Sequence, residues 1–401
     1  MLQQLGAFDP VSKEELIRRI DGIKAMMAEQ GIDFAVILQN TDMFYFSGTI
    51  QKGMLVIALD CEPLLFIQKS IARAKLDTSL DIIPISSDRD VKKTLKEKKI
   101  LKGTGGMELD VVPFALVERF KSIVGFDKFA DLSPIIRELR AVKSPYELVQ
   151  MRKSGAIVSR VFERAREAVR EGVTEIEIDS ILIAEGRRQG HQGILRMRGF
   201  NQEMAGAITV TAGYTSGIAS YADISIAGTG VNPAIAQGSS FLKVKRGIPV
   251  IVDYGGTYNG YITDETRVFV VGELKELFKK PYEIAREIVE DASNFGKVGV
   301  NTTELFKRAY QLVKKSGMEE HFLGHGEGQV SFIGHGLGLE INELPFITQR
   351  HSQILKEGMV FAFEPKFVFP GEGAIGIEVD FIVRKNCLER ITDIPIDIVC
   401  V

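Results

Sequence analysis

The 401-residue sequence predicts an α/β domain followed by an α+β domain. Three observations carry that reading. Helix and strand patterns alternate up to about residue 137. The chain changes character around Arg137–Pro145. From about Ala207 onward it turns to strands and glycine-rich loops, within a total of 39 glycines. At roughly 150 residues per domain, the length suits two or three domains. A boundary near residue 140 gives an N-terminal α/β domain over 1–140 and a second domain over 141–401.

In the first domain, Ser12-Lys13-Glu14-Glu15 has the form of a capping box that opens an amphipathic helix through about Gln30. Gly31 stops that helix, and Phe34–Leu38 is a short apolar run of buried-strand type. Met54–Leu59 and Leu64–Ile67 repeat the pattern around the turn residues Asp60–Pro63, which predicts a hairpin. Ile82–Ile85 and Gly105–Leu109 are further strands, and Lys92–Lys99 is a solvated charge run. In the second domain, Ser144 caps and Pro145 starts a long helix from Tyr146 to Glu171. Further helices are expected at about Thr174–Gln189, Lys275–Phe295 and Thr303–Ser316.

Composition excludes several function classes. Lys and Arg total 50 against 53 Asp and Glu, a formal net charge of -3. This balance argues against a nucleic-acid binder, which would show a basic stripe. Cys61, Cys387 and Cys400 are odd in number and lack CxxC spacing, so a disulfide framework or zinc knuckle is not expected. The first twenty residues carry charges throughout and show no secretory signal. No apolar run approaches the ~18 residues of a membrane span. A cytoplasmic protein without membrane partners is the expectation.

The chemistry concentrates in acid-terminated hairpins. Ile248–Asp253 is an apolar strand ending on an acid, and Tyr261–Val271 returns carrying Asp264. With Tyr258-Asn259 as the turn, Asp253 and Asp264 stand directly opposite; with Asn259-Gly260 they become diagonal neighbours. Either register aims both carboxylates from one face, which favours a cation between them; two acids on an exposed hairpin are the alternative. Phe361–Glu364 and Ile375–Val383, carrying Glu378, form a second such pair. These two share a face only if the loop between them has an odd number of residues or a bulge intervenes, because side chains alternate with a period of two. A four-residue loop at 370–373 would separate them. His335, within Gly334-His335-Gly336-Leu337-Gly338-Leu339-Glu340, is either a metal ligand or a satisfied core histidine.

In order and spacing, Asp253, Asp264-Glu265-Thr266-Arg267, the His335 segment, Glu364-Pro365 and Glu378 resemble the pita-bread metallopeptidase family of prolidase, aminopeptidase P, methionine aminopeptidase and creatinase. The resemblance covers about 144–401. The first ~140 residues look like the creatinase-type N-terminal domain, on Asn40–Gly48 and Leu139–Met151. It implies a dinuclear site with Asp253, Asp264, His335, Glu364 and Glu378 as ligands. Four oxygen donors and an imidazole suit Mn, Fe, Co or Zn. Two such ions would acidify a bridging water and polarise an amide carbonyl, with Glu364 passing the proton to the leaving nitrogen. The resemblance further implies a homodimer.

The sequence departs from the family around the metals. Three histidines that hold the substrate carbonyl and stabilise the oxyanion in family peptidases are replaced by Ala236 (beside Gln237), Ser331 and Asn342. Loss of one oxyanion donor typically costs ~10²–10³ in rate. Replacement contacts are expected from Arg196, Arg198 and Glu203, where arginine forks suit carboxylates, and from His325 and Asn342; an exposed charged loop is the alternative for 196–203. The resemblance thus implies an Xaa-Pro-type metallohydrolase acting on a short peptide or amide. Hydrolysis or lysis of a small non-peptide molecule is the alternative within enzymes, and a non-catalytic binding module is a third class.

Overall fold

A computed structural model describes residues 9–100, 103–124, 129–204 and 206–401. The chain divides into a unit ending at Arg140 and a unit running from Ala141 to Val401.

The N-terminal unit is built on six strands: β1 (Phe34–Ile37), β2 (Gly53–Ala58), β3 (Leu64–Ile67), β4 (Ile82–Pro84), β5 (Gly105–Met107) and β6 (Phe129–Asp131). Their order is β4-β3-β2-β1-β5-β6. The expected β2–β3 hairpin forms, and β1 pairs antiparallel to β2 but parallel to β5. Phe34, Val36, Val56 and Phe66 are fully buried in its core, as expected for strands covered by helices. The first helix is Lys13–Glu29, capped by the Ser12 hydroxyl, which accepts from the Glu15 N–H at 3.2 Å. The Glu15 carboxylate pairs with Arg18 and Arg19 at 2.8 Å each. The charge run belongs to a helix, Asp88–Glu97, that buries Val91 and Leu95.

The C-terminal unit contains two main sheets. Strands β7 (Ile208–Ala212), β8 (Val250–Tyr258) and β9 (Tyr261–Val270) form one with β17 (Val399–Cys400), in the order β17-β9-β8-β7. Strands β10 (Phe332–Gly336), β11 (Glu343–Thr348), β12 (Val360–Phe363), β15 (Val379–Val383) and β16 (Leu388–Arg390) form the other, in the order β11-β10-β12-β15-β16; β13 (Lys366–Phe369) and β14 (Gly373–Gly376) pair separately. Helices Pro145–Ala168 and Glu175–Arg188 bury Val158, Val161, Phe162 and Leu182 against the first sheet. Both begin with capping boxes, Ser144 with Glu147 and Thr174 with Glu177. Helices Glu276–Phe295 and Thr302–Ser316 bury Phe278, Ile288 and Leu305 in the core shared with the second sheet.

Two strand registers place the acids. In the β8–β9 hairpin Tyr258 opposes Tyr261, so Asn259-Gly260 is the turn. Asn259 and Gly260 take positive φ of 49° and 87°, which a two-residue hairpin turn of the favoured hand requires. Asp253 then opposes Thr266 and Asp264 opposes Gly255, so the two aspartates are diagonal neighbours on one face. In the second hairpin Phe369 opposes Gly373 and Phe363 opposes Val379. The loop between them is therefore three residues, Pro370 to Glu372, and not the four-residue loop considered from the sequence. That odd number puts Glu364 across from Glu378. Both lie where the strand pair leaves one ladder for the other, and Glu378 bridges to Thr266 of β9. This contact joins the two main sheets at the acids.

Candidate metal centre

Five strands deliver the predicted ligands to the wall of a cavity of about 340 Å³ in the C-terminal unit. Asp253 comes from β8, Asp264 from β9 and His335 from β10, while Glu364 and Glu378 follow β12 and precede β15. All five line the cavity. The His335 Nε2 lies 4.0 Å from Asp264 Oδ2, 3.8 Å from Glu364 Oε1 and 3.9 Å from Glu378 Oε1. Hydrogen bonds are shorter than that. A first-row ion reaches nitrogen and oxygen ligands at about 2.0–2.2 Å, so ligands facing each other across it stand up to about 4.4 Å apart. Atoms of Asp264, His335 and Glu378 lie within 4.8 Å of one another. The spacing and the mixed O/N donor set fit one divalent ion there.

A residue that sequence reasoning missed lies in the same cluster. The Nζ of buried Lys366 is 2.8 Å from Glu378 Oε2, 3.0 Å from Glu364 Oε2 and 3.1 Å from Asp253 Oδ2. The signal was present: Lys366 is two residues beyond Glu364, and residues i and i+2 of a strand share a face. Burial acts to lower the Lys366 pKa, but Asp253, Glu364 and Glu378 override it and hold the ammonium well above its ordinary value. Burial, with the charges of Glu378, Asp253 and Asp380, pushes the Asp264 carboxyl well above the usual range. Asp253 is also raised, chiefly by burial and against the pull of Lys366. Crowded acids that resist ionisation without more positive charge are the expected signature of a cation site.

Outer contacts fix these side chains. The Thr266 hydroxyl donates to Glu378 Oε2 at 2.8 Å, and the Asp264 N–H donates to Asp380 Oδ2 at 2.9 Å. Fully buried Arg267 donates to the Glu378 and Thr266 carbonyls at 2.7 and 2.9 Å and pairs with Glu265 at 2.8 Å. This guanidinium clamps the backbone that carries two of the acids.

The expected substrate contacts divide. Arg198 and Asn342 line the cavity. The Asn342 side chain accepts from the Arg198 N–H at 2.9 Å and donates to the Arg198 carbonyl at 2.8 Å. It pins the loop that presents Arg198, whose guanidinium lies 3.6 Å from Glu340. Arg196, Glu203 and His325 are not among the cavity-lining residues. His325 is exposed, bonds the Glu320 carbonyl at 2.9 Å and stacks on His321. Its Gly-His-Gly motif is an echo of the His335 segment in sequence but not in place. Of the replaced histidine positions, Ala236 and Ser331 are also outside the lining, while Gln237, the neighbour of Ala236, reaches it. Gln237 donates to the Glu203 carbonyl at 2.8 Å.

Comparison with known proteins agrees with this geometry. Residues 149–385 match the model of metallopeptidase family M24, and residues 19–142 match the creatinase/prolidase N-terminal domain. The Xaa-Pro dipeptidase of Pyrococcus furiosus is 27% identical over 377 residues, covering 93% of this chain and 97% of that protein. The Xaa-Pro dipeptidase of Lactobacillus delbrueckii is 26% identical over 385 residues, covering 93% and 96%. Among solved structures, the X-Pro aminopeptidase of Thermotoga maritima superposes with a TM-score of 0.78 at 27% identity, covering 95% of this chain and 99% of that one. The Xaa-Pro dipeptidase of Bacillus anthracis gives 0.81 at 25% identity, covering 96% and 100%. With more than half of its length matched, the chain belongs to metallopeptidase family M24: it is a metal-dependent hydrolase on the pita-bread fold, joined to a creatinase/prolidase N-terminal domain.

Proposed function

We propose that the protein hydrolyses a short peptide or peptide-like amide of the Xaa-Pro type. The observation that carries this reading is the convergence of Asp264, His335, Glu364 and Glu378 at ion-sized separations from His335 on the wall of a cavity. Of the two divalent ions that the family resemblance implies, one is assigned to these four side chains. Bound there, such an ion supplies Lewis-acid polarisation of a carbonyl and acidifies a water. Glu364, in the same cluster, is the group placed to accept a proton from the nucleophile and return it to the leaving nitrogen. Arg198 offers a guanidinium to a substrate carboxylate, and Asn342 holds its loop in place. Curated relatives named Xaa-Pro dipeptidase along nearly the whole chain support this substrate class. No helix among the described residues is long and apolar enough to cross a membrane, and a cytoplasmic homodimer belongs to the same proposal.

A specific observation favours a second reading. Where the family resemblance implies carbonyl-holding histidines, this chain has Ala236, Ser331 and Asn342, and the Asn342 amide is engaged with the Arg198 backbone. A small non-peptide molecule whose reaction forms no tetrahedral oxyanion needs no such shell. A panel of Xaa-Pro dipeptides assayed for free proline with Mn²⁺ or Co²⁺ separates the two. Proline release that chelator abolishes is the expected result; no release across the panel would move the assignment to the non-peptide substrate.

A further inference from the structure

The acids of the centre divide their oxygens between two positions. Glu364 Oε1, Glu378 Oε1 and Asp264 Oδ2 face the His335 Nε2. Glu364 Oε2, Glu378 Oε2 and Asp253 Oδ2 face the Lys366 Nζ. Glu364 and Glu378 therefore bridge two cation positions, as carboxylates do in a centre of two ions. The position beside His335 is a gap wide enough for an ion. The other is filled by a side chain of the protein. An ammonium has three N–H donors and no acceptor; here it donates to Glu378 and Asp253 at 2.8 and 3.1 Å and pairs with the Glu364 carboxylate at 3.0 Å. Asp253 faces the Lys366 position, and it is not among the acids within 4.0 Å of the His335 Nε2.

We propose that this centre binds one divalent ion and that Lys366 is its built-in second cation. A second ion would have to coordinate the same oxygens of Asp253, Glu364 and Glu378 that the ammonium holds. The strand opposite makes room for this arrangement. Lys366 pairs with Gly376, where a Cβ would come within 2.6 Å of the Lys366 Cγ. The consequence is chemical. The Lys366 position contributes one positive charge instead of two, and it offers no coordination site to water or substrate. Both must approach the single ion beside His335, and Asp253 serves as the counterion of Lys366 instead of as a ligand.

This inference rests on the metal-dependent reading above, and ion counting tests the two separately. Metal-free protein is loaded with Mn²⁺, freed of unbound ion and measured by elemental analysis and by electron paramagnetic resonance. The wild type is expected to hold one Mn²⁺ per chain with the six-line spectrum of an isolated ion. Lys366→Gly and Lys366→Ala are expected to hold two, with the spectrum of an exchange-coupled pair. Two ions in the wild type, or one ion in both variants, would overturn the role of Lys366 while leaving the metal site standing. No ion in the wild type would overturn both readings. Should neither variant fold, the wild-type count decides: one ion upholds the proposal and two overturn it.

Discussion

Both units of the chain bury carboxylates, and they handle them in opposite ways. In the N-terminal unit Asp42 and Arg140 are fully or nearly fully buried and face each other at 2.7 Å. Glu108 there accepts from the Leu38 and Gln39 N–H groups at 3.0 and 3.1 Å. Asp42 there has a cation, and Glu108 has backbone N–H donors. In the C-terminal unit Asp253, Asp264, Glu364 and Glu378 converge on one lysine and one histidine, and the positive side chains are too few for them. The difference teaches that buried charge alone does not mark a site; unbalanced buried charge at one point does. A matched pair holds structure together, whereas a surplus of acids is an appetite for a cation.

The largest effect expected from breaking this contrast is on catalysis. Asp264→Ala should lower kcat/KM for any substrate by more than about 100-fold, the loss that even an outer partner of a metal site can cause. Its chemical denaturation should stay close to wild type or improve, because removal of one acid relieves crowding. Full activity in this variant would refute the assignment of the site. Asp42→Ala should do the reverse. It takes the carboxylate from buried Arg140, which costs about 3–5 kcal/mol of stability, read as a lower urea midpoint. Turnover per folded molecule should be unchanged.

The smallest effect concerns pH. Burial, helped by the charge of Asp42, raises Glu108 from 4.5 to about 8. A carboxyl with a raised folded pKa keeps its proton when the unfolded chain has lost it. Its contribution to stability is intact below pH 4.5 and declines as the pH rises toward about 8. Glu108→Gln should flatten that decline, with a gain of a few degrees in Tm at pH 8.5 and little change at pH 4. The Gln oxygen can still accept from Leu38 and Gln39. An unchanged pH profile would show that Glu108 is not strained in the folded protein.

Much of this was legible in the sequence because side-chain period and turn chemistry are local. Asp253 and Asp264 share a face in either register, and the Asn259-Gly260 turn selects the diagonal one through its two positive φ angles. The Ser144-Pro145 signal and the start expected at about Thr174 fell within a residue of the observed helix starts. Glu364 and Glu378 were harder, since one residue of loop length decides whether they meet. Lys366 was not recognised for a related reason. The face it shares with Glu364 was legible, but its reach to Asp253 joins positions 113 residues apart, which no local pattern reveals. His325 misled by motif: glycine neighbours at φ of 114° and 57° bend its loop into an exposed turn instead of a strand. The cavity wall at Arg198 depends on a long-range contact, Asn342 to Arg198, whose ends are 144 residues apart.

Gly376 gives the centre one fixed wall and one adjustable wall. A methyl group at 376 would meet not only the Lys366 stem but its Cα at 2.7 Å and the Pro365 carbonyl at 2.7 Å. Backbone cannot retreat as a side chain can, so that strand is closed to variation. Position 366 differs, because shortening its buried side chain only removes atoms. An ancestor or descendant of this chain could therefore exchange ammonium for metal by a single codon change at 366, with the hairpin around it left as it is.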